Sequence, residues 1–284
     1  MKHPIPRRLL VALLPADIEH LPQLQGLDSE IRATTAVVID TLRFTTTACQ
    51  ALHVGARCVQ VAPTIERAQQ LAAAATPPAL LCGERLGHRI DGFDLGNSPV
   101  EVTSDRVDGR ELVFTTTNGT LAVEAVKHIP TILLAALVNR GASCHYMRET
   151  TAGDIVIVCA GTDGQVTWED VLTAGAILDQ LLAQDADFAY GNDSARLAHI
   201  AWQATLDKAG RTAPANSTNM QHEARAHPAA PIVACLVQEL SRSLGGRNLL
   251  ESGYEHDLQF AAQLDRLHVV VRNHPEHFDR FIKQ

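Results

Sequence analysis

Lysine is nearly missing from this 284-residue sequence: Lys2, Lys127, Lys208 and Lys283 are all of it. None falls in a polar turn, so a Schiff-base mechanism has no nucleophile at the obvious places. Anion recognition would instead rest on arginine, whose planar fork suits phosphate, sulfonate or carboxylate. Basic charge is short as well. The formal net charge is −8, which leaves no footprint for a nucleic-acid backbone. The six cysteines form no C-x-x-C pair, and most sit in apolar surroundings, as small buried hydrophobes do in a reducing compartment. No apolar run approaches the length needed to span a bilayer. Arg7-Arg8 before Leu9–Leu14 imitates a short signal peptide, but Pro15, Asp17 and Glu19 follow at once. That segment is expected to be the first strand of a soluble, cytoplasmic protein.

Several mechanisms lack their motifs. There is no G-x-x-x-x-G-K-S/T, G-x-G-x-x-G, H-E-x-x-H or G-x-S-x-G. No cysteine has an arginine six positions on, which removes the cysteine-dependent phosphatase route. Leu42 stands where aspartate-nucleophile phosphatases need a second Asp after Asp40.

What the sequence does have is a repeating unit: an apolar β-branched run, a polar turn, then an Ala/Leu-rich helical stretch. Ala36–Ile39 leads into Asp40-Thr41-Leu42-Arg43, a helix near Thr45–Val54 and a strand at Cys58–Val61. Val113-Phe114 leads into Thr115–Thr120, a helix through Val126 and a strand at Ile132–Ala135. Ile155–Cys159 leads into Gly161-Thr162-Asp163-Gly164 and a helix near Trp168–Leu182. Alternation of this kind predicts a three-layer α/β/α fold with a mostly parallel sheet. It is expected as one unit over 1–284, or as two similar packed lobes divided near 135–155. Residues 211–231 read as a loop, and Leu267–Val271 as a final apolar strand.

In open parallel sheets, ligands bind beyond the carboxyl ends of strands, where helix N-termini offer free amides. All three polar turns lie at such ends. Asp40 there suits a metal ligand or nucleophile, or else an N-cap for the following helix. Arg43 suggests an anion pocket. Gly83-Glu84-Arg85 with Gly92–Pro99 gathers Glu84, Arg85, Asp94 and Asn97 between flexible glycines, and its hard oxygen donors suit Mg²⁺ better than zinc. Thr117, Asn118, Gly119 and Thr120 offer hydroxyls and amides to a phosphate, or simply cap a helix. Glu169 and Asp170 lie in the first turn of a helix, where the dipole alone would explain them. His274-x-x-His277 has metal-like spacing, but beside Pro275 it reads as a surface coincidence.

Val38-Ile39-Asp40-x-Leu42-Arg43-x-Thr45-Thr46-Thr47 resembles the opening motif of the 2-phosphosulfolactate phosphatases. Gly83-Glu84-Arg85, Gly92–Pro99, Thr115–Thr120 and Cys159–Thr162 with Glu169-Asp170 resemble its later motifs in the same order. Ser243-x-Gly245 and Gly253-x-x-x-Asp257 match more weakly. Two departures stand out. Leu86-Gly87-His88 replaces a glycine pair common after Gly-Glu-Arg, and Leu244-Gly245-Gly246 replaces a more usual histidine-glycine.

The resemblance implies a Mg²⁺-dependent hydrolase converting 2-phospho-3-sulfolactate to 3-sulfolactate and phosphate, a step towards coenzyme M. In that reading Asp40, Glu84 and Asp94 hold the metal, and Asp40, Glu84 and Asp170 carry the catalysis. Arg43, Arg85, Asn97, Thr117, Asn118, Gly119 and Thr120 bind substrate. Attack by water and attack by Asp40 itself both stay open. So does a different class on the same scaffold, an anion-binding protein or a phospho-acid isomerase or lyase. A small anionic phosphoester is the expected partner, with no nucleic acid and no membrane, and a homodimer is compatible with the sequence.

Overall fold

The computed structural model describes residues 6–21, 35–184, 187–212 and 230–284. In chain order its strands are β1 (Arg7–Ala12), β2 (Thr35–Ile39), β3 (Cys58–Val61), β4 (Leu80–Arg85), β5 (His88–Arg89), β6 (Glu111–Thr115), β7 (Thr131–Ala135), β8 (Ile155–Cys159), β9 (Phe188–Tyr190), β10 (Val271–His274) and β11 (His277–Lys283). They form one sheet in the order β5-β4-β6-β3-β11-β10-β7-β2-β8-β1-β9. The run β4-β6-β3 is parallel, and so is the run β7-β2-β8-β1-β9. The C-terminal hairpin β10–β11 joins the two runs, antiparallel to β7 on one side and to β3 on the other.

β2 (Thr-Ala-Val-Val-Ile) and β8 (Ile-Val-Ile-Val-Cys) are buried along their whole length, as parallel strands covered on both faces must be. Alternate side chains serve opposite layers. Val37, Ile39, Ile155 and Ile157 pack with Cys144, Met147, Ile177 and Ala198 of the helices Arg140–Thr150, Trp168–Gln184 and Asp193–Thr212. Ala36, Val38, Val156 and Val158 face the other way, into a core shared with the helices Phe44–His53 and Gly119–Ala125. Each fully buried Val or Ile contributes about 1.5–3 kcal/mol, so this rim of the sheet is a firm platform.

From β6 to β2 the sheet passes through β3, β11, β10 and β7, five strand steps. Held flat, those steps of about 4.8 Å would keep the two strand ends about 24 Å apart. Yet a Cβ built on Gly119, just beyond β6, would lie 2.7 Å from Asp40 Oδ2 and 2.5 Å from Phe44 Cδ1. The sheet is therefore far from flat: the hairpin's three antiparallel pairings point the two parallel runs in opposite directions, yet it curls so that the segments following β2 and β6 meet. Phe44 and Phe114 fill the concave side edge-to-face, ring centroids 5.7 Å apart.

The segment begun by Arg7-Arg8 is the first strand, as expected, and it lies between β8 and β9. The stretch 135–155 links β7 to β8, which flank β2 in the same sheet. Residues 213–229, most of the expected 211–231 loop, lie outside the described residues. One expectation needs correction. The last apolar run, Leu267–Val271, is not itself a strand: the ladder starts only at Val271 and continues as a hairpin. Leu267 instead donates its N–H to Val138 O (2.7 Å). The polar alternation Arg-Asn-His-Pro-Glu-His-Phe-Asp-Arg hid the hairpin in the sequence. No helix among the described residues is long and apolar enough to cross a membrane.

Candidate active site

At the carboxyl ends of the curled strands lies a cavity of about 320 Å³, lined among others by Asp40, Arg43, Glu84, Asn97, Thr117 and Asn118. Its volume suits a small metabolite.

The turn after β2 is built by its threonines. Thr45, Thr46 and Thr47 are all buried. Thr45 Oγ1 donates to Asp40 O (2.9 Å) and Thr46 Oγ1 to Thr41 O (2.8 Å). Thr47 Oγ1 lies 3.0 Å from the carbonyls of both Arg43 and Asn97. The triple threonine thus fixes the backbone that presents Asp40 and Arg43. Asp40 Oδ1 accepts the Phe44 N–H at 3.3 Å, a helix-capping contact, while Oδ2 faces Gly119. One oxygen thus supports the start of the helix, and the other is turned towards the residues that follow β6.

Glu84 reaches the cavity from β4. Its Oε2 accepts Gly87 N–H (2.9 Å), and its Oε1 accepts the backbone and hydroxyl of Thr117 (3.1 Å each). Asn118 does not cap the helix it starts. Its Oδ1 accepts Asp163 N–H (3.3 Å), tying two of the polar turns together. Thr120 is buried behind them, hydrogen-bonded to Thr116. The β4–β5 turn shows how Leu86 replaces a glycine. Leu86 (φ 52°) and Gly87 (φ 81°) are both left-handed, which costs the leucine about 1–2 kcal/mol, and its side chain is 91% exposed.

Arg43 is 4% exposed and is held from three sides. It donates to Asp257 Oδ2 and to Gly87 O, each at 2.8 Å, and its guanidinium stacks 4.3 Å from the Tyr254 ring centre. Asp257 in turn accepts the Ser98 hydroxyl at 2.6 Å.

Three expected site residues stand elsewhere. Asp94 is exposed, and its carboxylate accepts Leu81 N–H at 2.8 Å, away from Asp40 and Glu84. Arg85 follows Glu84 on a strand and so points to the opposite face, where it binds Thr115. Asp170 lies behind the cavity. Its two oxygens accept Thr41 N–H (2.9 Å) and Gly161 N–H (3.0 Å), locking the turns after β2 and β8 together. It positions Asp40 and does not face the cavity.

Two acids that the sequence left out of the site belong to its surroundings. Asp257 is one, and Glu169 is the other. Glu169 is buried against Gly245, where any Cβ would come within 2.1 Å of Oε1, and its Oε2 finds no partner among the described residues. Gly245 lines the cavity from the helix Leu244–Glu251, which Ser243 caps by accepting Gly246 N–H (3.0 Å). Of the glycine pair that departs from the resemblance, Gly246 is required by close packing, since a Cβ there would lie 1.8 Å from Leu240 O.

Burial pushes Glu169 up to about 7 and Asp170 to about 6. Burial, with the Asp170 charge next, raises Asp40 well above the ordinary carboxylate range. Carboxyls whose pKa rises on folding bind protons more tightly in the folded state. Metal-free protein is therefore expected to lose stability as the pH climbs from the unfolded carboxylate range through about 7. Glu169 alone, shifted from 4.5 to about 7, accounts for roughly 3 kcal/mol of that loss. Thermal melts in EDTA between about pH 5 and about pH 8 check this. Glu169→Gln should flatten the decline, and an equally steep decline in that variant would contradict it.

Several features suit a hard divalent cation. Asp40 Oδ2 and Glu84 are anionic oxygens on one cavity, and buried Asn97 Oδ1 beside them has no partner among the described residues. Gly119 leaves room where a side chain would collide with Asp40.

A family model described as 2-phosphosulpholactate phosphatase matches residues 20–236. Among curated relatives, each named as a probable 2-phosphosulfolactate phosphatase, one from Deinococcus radiodurans is 46% identical over 193 residues, 67% of this chain and 73% of that protein. One from Synechococcus sp. (strain RCC307) is 43% identical over 187 residues, 63% and 75% respectively. Another, from Synechococcus sp. (strain JA-2-3B'a(2-13)), is 37% identical over 242 residues, 84% and 87%. On this match and on the collinear motifs gathered at one cavity, the chain belongs to the 2-phosphosulpholactate phosphatase family.

Proposed function

We propose that the protein is a Mg²⁺-dependent phosphatase that hydrolyses 2-phospho-3-sulfolactate to 3-sulfolactate and inorganic phosphate, the kind of step that leads towards coenzyme M. The observation that carries the metal requirement is the charge of the cavity. Among the described residues, Asp40, Glu84, Asp163 and Glu251 line it against a single arginine, Arg43, which is already paired with Asp257. A molecule bearing phosphate, sulfonate and carboxylate would be repelled by that lining unless cations accompanied it. The names of the relatives support the substrate, and the oxygen donors support the metal.

Asp40, Glu84 and the Asn97 side-chain oxygen are the residues that would hold the ion. When bound, it supplies Lewis-acid polarisation of the phosphoryl oxygens and a more acidic water. The chain does the remaining work. Arg43 turns its uncommitted N–H groups to the anion, with Tyr254, Asp257 and Gly87 fixing the fork's orientation. The Asn118-Gly119 turn brings backbone amides to the start of a helix, where partial positive charge favours an anion, the Thr117 amide being already given to Glu84. Asp170 keeps the Asp40 and Gly161 turns in register.

Phosphate release from a panel of 2-phospho-hydroxy acids, with and without EDTA, tests the reading. Stoichiometric phosphate is expected with Mg²⁺, falling about a hundredfold or more in EDTA and returning when Mg²⁺ is restored. Release that ignores EDTA would remove the metal from the account. No release from any phosphoester would favour an anion binder, isomerase or lyase.

A further inference from the structure

We propose that the tip of the β10–β11 hairpin is a binding site for a borderline divalent transition metal such as Zn²⁺, held by His274, Glu276 and His277. One nitrogen of each ring and one Glu276 carboxylate oxygen lie within 4.8 Å of one another. Neighbouring ligands of a tetrahedral zinc with bonds of about 2.1 Å are about 3.4 Å apart, so the side chains need close by little more than an ångström. The rings already approach, with centroids 5.4 Å apart.

The hairpin itself creates this proximity. His274 and His277 are direct cross-strand partners on either side of Pro275-Glu276, which sets their Cβ atoms about 5 Å apart. The turn stands on a fixed base. Asn273 is buried, with Oδ1 accepting Ile132 N–H (2.8 Å) and Nδ2 donating to Pro130 O (3.2 Å). Glu276 N–H donates to His274 Nδ1 at 3.2 Å. That nitrogen therefore carries a bare lone pair, as ligation requires. A metal would displace only one long hydrogen bond.

The chemistry and the place both separate this site from the cavity. Two imidazoles select Zn²⁺, Co²⁺, Ni²⁺ or Cu²⁺ over Mg²⁺. β10 runs antiparallel to β7 and β11 to β3, so the tip lies beyond the amino end of β7 and the carboxyl end of β3, at residues outside the cavity lining. A metal there would clamp the hairpin that joins the two parallel runs of the sheet, serving stability and not turnover.

Full-length protein stripped with EDTA, dialysed and titrated with Zn²⁺ against a chromophoric indicator tests the proposal. The His274→Ala/His277→Ala variant should bind one Zn²⁺ fewer, or bind it at least about 10–100-fold more weakly. At free Zn²⁺ roughly a hundred times the dissociation constant, the melting temperature of the unaltered protein should rise about 5 °C more than that of the variant. Cu²⁺ bound to the unaltered protein should show electron-spin couplings from two ring nitrogens that vanish in the variant. Glu276→Gln should weaken binding less than loss of both rings. Equal zinc stoichiometry, affinity and melting shift in the protein and the double variant would overturn the site.

Discussion

Asp40→Asn is expected to lower phosphate turnover by about a thousandfold or more, while raising the melting temperature of metal-free protein near pH 8. The two effects have one origin. Asp40 is 7% exposed, and its charge lies close to Asp170, Glu84 and Glu169. Burial is the largest cause of its raised pKa, and the Asp170 charge comes next. At a pH where all four would ionise, holding Asp40 charged costs folding free energy, and a neutral amide of the same shape removes that cost. The amide oxygen can still accept the Phe44 N–H, so the turn keeps its form. What asparagine cannot supply is anionic density at Oδ2, the oxygen that faces Gly119 and the cavity. Activity and stability should therefore move in opposite directions, which separates lost chemistry from lost fold. Turnover near that of the unaltered protein would remove Asp40 from the mechanism. A fall in both quantities would mean that its role is structural.

Much of this site could be read in the sequence because parallel strands announce themselves. The apolar runs within β2, β6 and β8 located three strand ends; Asp40 stands directly after the first, and Thr117 and Thr162 stand in the turns that follow the other two. Glu84 stood out among the charged and amide side chains gathered with glycines between Gly83 and Pro99. Strand geometry alone places Arg85 away from Glu84. On a strand, successive residues face opposite sides, so Glu84 and Arg85 could not both enter one cavity. Asp94 was a different matter. Its carboxylate caps the Leu81 backbone across a tight excursion, and composition cannot distinguish that from metal binding. The curl of the sheet left no trace either, since it depends on a polar C-terminal hairpin between two parallel runs. Asp257 was hardest of all. It reaches Arg43 across 214 positions, from beyond the range the family model matches, and no local pattern marks one helix acid as an arginine's partner.

That partnership should have the largest effect on stability. Arg43 and Asp257 form an ion pair with side chains only 4% and 1% exposed. Removing one partner of such a pair strands the other's charge, at about 3–5 kcal/mol. Asp257→Asn is accordingly expected to lower the melting temperature by about 10 °C. Its kinetic effect should be split. With the counter-charge gone, Arg43 attracts an anionic substrate more strongly, so KM should fall. The freed guanidinium keeps Gly87 O and the Tyr254 face but loses its charged anchor at Asp257, and a fork displaced by about an ångström costs near a hundredfold in kcat. A residue that merely held the fold would lower the amount of active protein and leave KM unchanged. Arg43→Met combined with Asp257→Leu supplies the control. Replacing a buried ion pair by apolar groups of similar bulk is often neutral for stability, so the double variant should melt well above Asp257→Asn and yet be inactive. Should the double variant be as unstable as the single one, burial of an unpaired charge is not the cause. Should Asp257→Asn keep both kinetic constants, Arg43 does not need this acid to present its fork.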